Sequence, residues 1–266
     1  MIKYEFTAII KKDLDKVVST KTMFLSLLAV PLVLTVLLPT VMIVSSHFIP
    51  QEETVKYAKL LKLMPVSELG SSLTETLTRL MLNYMLPLFF LIIPIMASTI
   101  MSASSFVGEK EKQTLETLLY SPLSLKRLFQ AKTAASFLLS MSVSAISFFL
   151  MLIVLETELY LTTGTFILPG TQWLLILLLL APSLSVIAIT LMVRTSAKAQ
   201  SVEDAQQGAV FLILPIILLC VSQFGGIFLI NSRILLGLGI LCAVLAWVFL
   251  KRAAANFTYE SLNALI

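Results

Sequence analysis

Six stretches of this chain are long and apolar enough to cross a bilayer, and that fact leaves few folds open. In hydrocarbon there is no water to satisfy backbone N–H and C=O groups, so a crossing segment must be a helix or part of a closed barrel. The stretches here run for about twenty residues, not the roughly ten of a barrel strand, which selects helices. The expected spans are residues 23–46, 80–105, 128–154 and 172–193, followed by an apolar region at 209–250 that is long enough for two crossings, 209–229 and 234–250. Gln223, Gly225, Gly226, Asn231, Ser232 and Arg233 interrupt that last region, where an outer turn is expected. Composition agrees: 58% of residues are hydrophobic and 13% charged, against ~25% charged in a soluble domain. The fold class is an all-α polytopic membrane protein forming one transmembrane domain over residues 1–266.

Several features refine the spans. Pro31, Pro39, Pro87 and Pro94 lie inside them, which membrane helices tolerate when neighbours re-satisfy the freed carbonyls. Ser98, Ser102 and Ser105 form one small polar row, and Ser136, Ser140, Ser144 and Ser147 form another. Such rows let helices approach closely, or they line a pathway. Gly239, Ala243 and Ala246 give the last span a small-residue packing face. Cys220 and Cys242 sit in apolar runs and read as small core residues. Residues 47–72 leave the membrane, with a short surface helix on the stripe Tyr57, Leu60, Leu61 and Met64 and with His47 at the surface. Glu156 and Glu158 are expected to open a short outer loop that ends near Trp173.

The chain begins with an amphipathic segment. Ile2, Phe6, Ile9, Ile10, Leu14, Val17 and Val18 recur at three- and four-residue spacing, with Lys3, Lys11, Lys12 and Lys16 around them. Residues 2–20 read as an interfacial helix. Lys and Arg placement sets orientation. With both termini inside, the inner segments hold Lys3, Lys11, Lys12, Lys16, Lys21, Lys110, Lys112, Lys126, Arg127, Lys132, Arg194, Lys198, Lys251 and Arg252. The outer segments hold Lys56, Lys59, Lys62, Arg79 and Arg233.

One dense run of charge interrupts the apolar chain, from Gly108 to Ser124. At about 100° per residue, Thr114 to Tyr120 forms a short helix with Leu115, Leu118 and Leu119 on one face and Glu116 and Tyr120 on the other. Pro122 ends it by disfavouring an α conformation at Ser121, and Ser124 can cap the next helix. Glu109 belongs to a less ordered approach to this helix, so Glu109→Arg is expected to do less than Glu116→Arg.

The order Gly-Glu-Lys-Glu, Thr-Leu-Glu-Thr-Leu-Leu, Ser-Pro-Leu-Ser and Lys-Arg, within residues 106–132, resembles the coupling-helix region of the type-2 permeases of ABC transporters. Where those permeases commonly carry Gly before the Thr, this chain has Gln113. The resemblance implies a cytoplasmic coupling helix at about 113–121, between spans 2 and 3, docking into a separate ABC ATPase. The residues it assigns to coupling are Glu109, Glu111, Thr114, Leu115, Glu116, Leu118, Leu119 and Tyr120. Two orientations are open: Glu116 and Tyr120 face the ATPase groove, or the leucines insert into it. For Ser98, Ser102, Ser136, Ser140 and Ser144 the roles open are packing or pathway lining. The resemblance also implies re-entrant helices between spans 5 and 6, contact through the first and fifth spans, and a second copy of the permease or a homologous one.

Absences narrow the chemistry. No Gly-x-x-x-x-Gly-Lys-Ser/Thr loop is present to cradle nucleotide phosphate, so ATP and Mg would be bound by the partner ATPase and this chain needs no cofactor of its own. No His-Glu-x-x-His or Gly-x-Ser-x-Gly occurs, and no catalytic or metal-binding residue is assigned. No Asp, Glu, Arg or His lies near the middle of an expected span, where ion-coupled carriers place theirs. The expectation is the permease subunit of an ATP-driven exporter in a prokaryotic inner or plasma membrane. Its cargo would be amphipathic, lipid-like, peptide or drug-like. The alternatives are a sodium-exporting permease and a non-transporting scaffold that anchors a cytoplasmic ATPase. The partners are the ATPase, the second permease and membrane lipid, with no nucleic acid.

Overall fold

The structure is a computed structural model of the chain and describes residues 2–47, 73–111, 124–164, 166, 169–196, 199, 201–208, 210–224 and 230–256. Among the described residues it is helical, with no strand. An N-terminal helix, Ile2–Ser19, turns through Thr20 into the first of six helices long and apolar enough to span a membrane. These are span 1 (Lys21–Val41), span 2 (Thr78–Glu109), span 3 (Leu125–Leu161), span 4 (Thr171–Ser196), span 5 (Val202–Gln223) and span 6 (Ser232–Ala255). Span 5 is entered through a short helix, Val202–Gln207, before its long helix, Val210–Phe224.

Span 2 is the axis of the bundle. It is 78% buried, against 18% to 28% for spans 1, 3, 5 and 6, while span 4 is intermediate. The N-terminal helix and spans 1, 3, 4 and 5 all pack against it. The outward faces of the outer helices are apolar, with Leu25, Ile146, Phe149, Phe211 and Trp247 among the exposed side chains. That is the pattern of a bundle solvated by lipid.

Prolines set the shape of spans 1, 2 and 4. Each carries a wide helical segment that ends two residues before a proline: Val33–Leu37 before Pro39, Met81–Met85 before Pro87, and Ile176–Leu180 before Pro182. The residue just before each proline donates its N–H five residues back, Leu38 to Val33, Leu86 to Met81 and Ala181 to Ile176. Widening the turn relieves the clash between the proline ring and the preceding turn. It also frees carbonyls that lipid cannot satisfy. In span 2 the freed Leu82 carbonyl accepts the Trp173 indole N–H at 3.0 Å, and the Tyr84 carbonyl accepts the Gln223 amide at 3.1 Å. Spans 4 and 5 are thus pinned to the irregular turn of span 2. Trp173 also lies edge-on to Phe90, at 5.4 Å between centroids.

The third helix corrects one expectation. It runs unbroken over Leu125–Thr163, so Glu156 and Glu158 lie within it and open no loop. Met151, Leu155 and Leu159 carry its buried stripe past both carboxylates, and Thr40 of the first transmembrane helix donates its hydroxyl to Glu158. The helix ends at Gly164, whose φ of 66° is the left-handed conformation glycine adopts without strain. The small face of span 6 meets span 4: a Cβ on Gly239 would lie 2.5 Å from the Leu179 side chain. The expected surface helix on Tyr57 to Met64, and the re-entrant helices implied after span 5, lie outside the described residues.

Candidate functional site

Span 2 does not end where the charged run begins. Its last helix, Ile92–Glu111, carries Glu109 and Glu111 in its final turn. Glu109 is therefore not in a loose approach; it is 3% exposed. Thr114, Leu115, Glu116, Leu118, Leu119 and Tyr120 lie outside the described residues, which resume at Ser124. Ser124 occupies the cap position of the third helix, but by backbone alone. Its carbonyl accepts from Arg127 and Leu128, and its hydroxyl makes no cap bond.

At this end of the bundle a charged cluster is assembled from three helices. Glu109 accepts from Lys132 of span 3 at 2.7 Å and from Lys12 of the N-terminal helix at 2.9 Å. Lys132, 2% exposed, also donates to the Ser105 carbonyl, and its ammonium lies 5.4 Å from the centre of the Phe106 ring. The Ser105 hydroxyl donates to Asp13, which is itself buried. Lys16 donates to the Ser104 carbonyl at 2.7 Å. Gly108 leaves room for this approach, since a Cβ there would lie 3.1 Å from the Lys16 ammonium. One turn on, Glu111 accepts from the Val202 backbone N–H at 3.2 Å and so holds the start of the short helix that enters span 5. Ser201 caps that helix by accepting from Asp204.

The energetics make the cluster a joint. An exposed ion pair contributes roughly 0–1 kcal/mol. Breaking a buried pair by removing one partner costs on the order of 3–5 kcal/mol, because the other charge is stranded. Glu109 and Lys132 are in the second situation, and Lys12, half exposed on its outer side, is closer to the first. Span 2, span 3 and the N-terminal helix cannot shift far along one another at this end without separating charges. Both borders of the segment 112–123 attach here: Glu111 directly precedes it, and Leu125 begins the helix that carries Lys132.

The serine rows explain how the charges come together. Ser98, Ser102, Ser136, Ser140 and Ser144 are all buried, and each hydroxyl donates to a carbonyl of its own helix at 2.6 to 3.0 Å. Spans 2 and 3 pack closely along their length. Glu109 continues the row Ser98, Ser102, Ser105, and Lys132 begins the row Ser136, Ser140, Ser144. Each charge is in helical register with small polar residues on the packing face. That register is the sequence signal that finds Glu109 and Lys132 as a pair. Asp13 has a similar one, interrupting the apolar stripe between Ile10 and Val17. Counting Lys12, Lys16 and Lys132 only as inner-side charges passes over their pairing.

A model of the family described as ABC-2 family transporter protein matches residues 64–250. No curated protein and no solved structure matches the chain. That family match takes in spans 2 to 5 and most of span 6 together with Glu109, Glu111 and Lys132, and the chain belongs to the ABC-2 transporter family, as a multi-pass membrane permease component that is not catalytic by itself.

Proposed function

We propose that this chain is the membrane subunit of an ATP-driven exporter and that the Glu109 cluster carries motion from a separate ABC ATPase into the bundle. The cluster is the observation that supports the reading. A docking segment between Glu111 and Leu125 would have both of its ends tied to span 2, span 3 and the N-terminal helix through buried charge. A push on the segment would then reach three helices at once. In this reading the cluster end is cytoplasmic, as the excess of Lys and Arg there favours. Ile2–Ser19 lies along the inner surface of a prokaryotic plasma membrane. Two copies, or this chain and a homologous one, meet through the exposed apolar faces of spans 1 and 5. The cargo is amphipathic or lipid-like, in keeping with an interior of serines and apolar side chains.

The test is a pair of variants in the coupling segment, Glu116→Arg and Leu118→Asp, scored by ATPase co-purification and by transport. If Glu116 and Tyr120 meet the ATPase, Glu116→Arg uncouples hydrolysis or weakens association, while expression is unchanged. If the leucines insert, Leu118→Asp abolishes assembly and Glu116→Arg is nearly silent. Normal association and transport in both variants would remove the coupling reading and leave a membrane scaffold.

A further inference from the structure

At the basic end of the bundle, spans 3 and 6 barely touch, while each packs on span 4. Between them is a cleft of about 310 Å³, at the lower end of the size of small-molecule sites. Phe129, Thr133, Phe137, Val186, Leu250 and Ala254 line it. The lining is almost wholly apolar, with one unmet polar group. The Thr133 side chain is 9% exposed, and its buried hydroxyl has no hydrogen-bond partner among the described residues.

The rim is basic. Lys126 and Arg127 sit four and three residues before Gln130, which also lines the cleft, and so share its helix face. Lys251 and Arg252 lie between Leu250 and Ala254 on span 6, and Arg194 ends span 4 with its guanidinium 5.5 Å from the Phe249 ring centre. Lys251 lies over the Trp247 ring at 5.1 Å. Lys126, Arg127 and Arg252 are exposed and have no carboxylate partner among the described residues. The three helix ends, 124–137, 186–196 and 247–256, contain no Asp or Glu.

We infer that this cleft is a binding site for an anionic phospholipid of the leaflet at the basic end. One acyl chain lies between spans 3 and 6, and the phosphodiester is held by Lys126, Arg127 and Arg252. An acyl chain matches the apolar lining, and a phosphodiester matches three cations that have no carboxylate partner among the described residues. The Thr133 hydroxyl is six residues from Arg127, about 9 Å along the helix, at the level of the glycerol esters, whose carbonyls accept hydrogen bonds. A second copy of this chain fits less well, because a two-fold contact on this face would bring the same basic rims together. The site is also next to the charged cluster. The Phe129 ring packs on Phe106 at 6.3 Å, and Phe106 is the ring under the Lys132 ammonium. A bound chain would therefore buttress the joint from its lipid side.

The experiment uses the full-length protein in detergent, with native mass spectrometry after incubation with phosphatidylglycerol or with phosphatidylcholine of identical chains. Each basic side chain near an anionic lipid surface favours it by about fivefold, so the protein is expected to retain phosphatidylglycerol at least about tenfold better. The triple variant Lys126→Gln, Arg127→Gln, Arg252→Gln, altered only at exposed positions, should bring that preference to within about twofold while its thermal unfolding is unchanged. Ala134 also lines the cleft, and Ala134→Trp, which fills it, should reduce retention of both lipids. Equal retention of the two lipids by the unaltered protein, or a preference that survives the triple variant, overturns the assignment. High-yield disulfide crosslinking between two copies of Ala254→Cys in membranes also overturns it, since a second protein would then be the occupant.

Discussion

Glu109 accepts from two lysines, and the two are not equivalent. Lys132 is 2% exposed, whereas the Lys12 side chain is 54% exposed. Lys132→Met leaves the buried Glu109 carboxylate with only the half-exposed Lys12 and should cost on the order of 3–5 kcal/mol. Lys12→Met leaves a solvated partner position and should cost under about 1 kcal/mol. Thermal unfolding of the two variants in the same detergent measures the contrast, and equal losses would mean that the burial difference is not reflected in the energy. At this scale the sequence was partly legible. Glu109 and Lys132 each continue a serine row, and Asp13 breaks an apolar stripe, so register marks all three. Which anion meets which cation was not legible, since that depends on how span 2 and the N-terminal helix cross.

At the scale of elements, six spans and an N-terminal helix follow from hydropathy and charge alone. Their irregularities do not. A wide turn adds a residue to the repeat and rotates everything beyond it, so a single 3.6-residue period cannot be followed through Met81–Met85 or Ile176–Leu180. The signal that remains is proline two residues later. Periodicity also missed the end of the third helix, because Glu156 and Glu158 read as loop charge when Leu155 and Leu159 still follow the buried stripe. The Trp173 indole tests whether the freed Leu82 carbonyl matters. Trp173→Phe keeps an aromatic ring but removes the donor. Inter-helical hydrogen bonds in membranes contribute roughly 0.6–2 kcal/mol, so a loss in that range is expected by thermal unfolding. A loss no greater than that of a lipid-facing control such as Trp247→Phe would show that the carbonyl is satisfied in another way.

For the whole molecule, one buried helix, a half-buried span 4 and four weakly buried spans make a small bundle whose outer faces are apolar. The Gly108 to Ser124 run was enough to suggest the family, and the match over residues 64–250 establishes it. The substrate was not legible, because no described charge lies at mid-span to mark a pathway. The proposed orientation predicts that, with Cys220 and Cys242 replaced, single cysteines at Lys112 and Asn256 label only after the cell is opened, while one at Thr163 labels from outside. Labelling of position 112 in intact cells would invert the topology.

The central claim is that charge pairing between Glu109 and Lys132 transmits ATPase motion into the bundle. Its most direct test is a charge exchange, read as transport per ATP hydrolysed by the purified complex in lipid. Glu109→Lys and Lys132→Glu should each lower that ratio by at least about tenfold, the factor that corresponds to 1.4 kcal/mol. The double variant restores opposite charges within the pair, although it sets a lysine against Lys12 and a carboxylate against the Ser105 carbonyl, and should recover part of the ratio. Single variants that stay folded and transport with the normal ratio, or a double variant no better than the worse single, would contradict the claim.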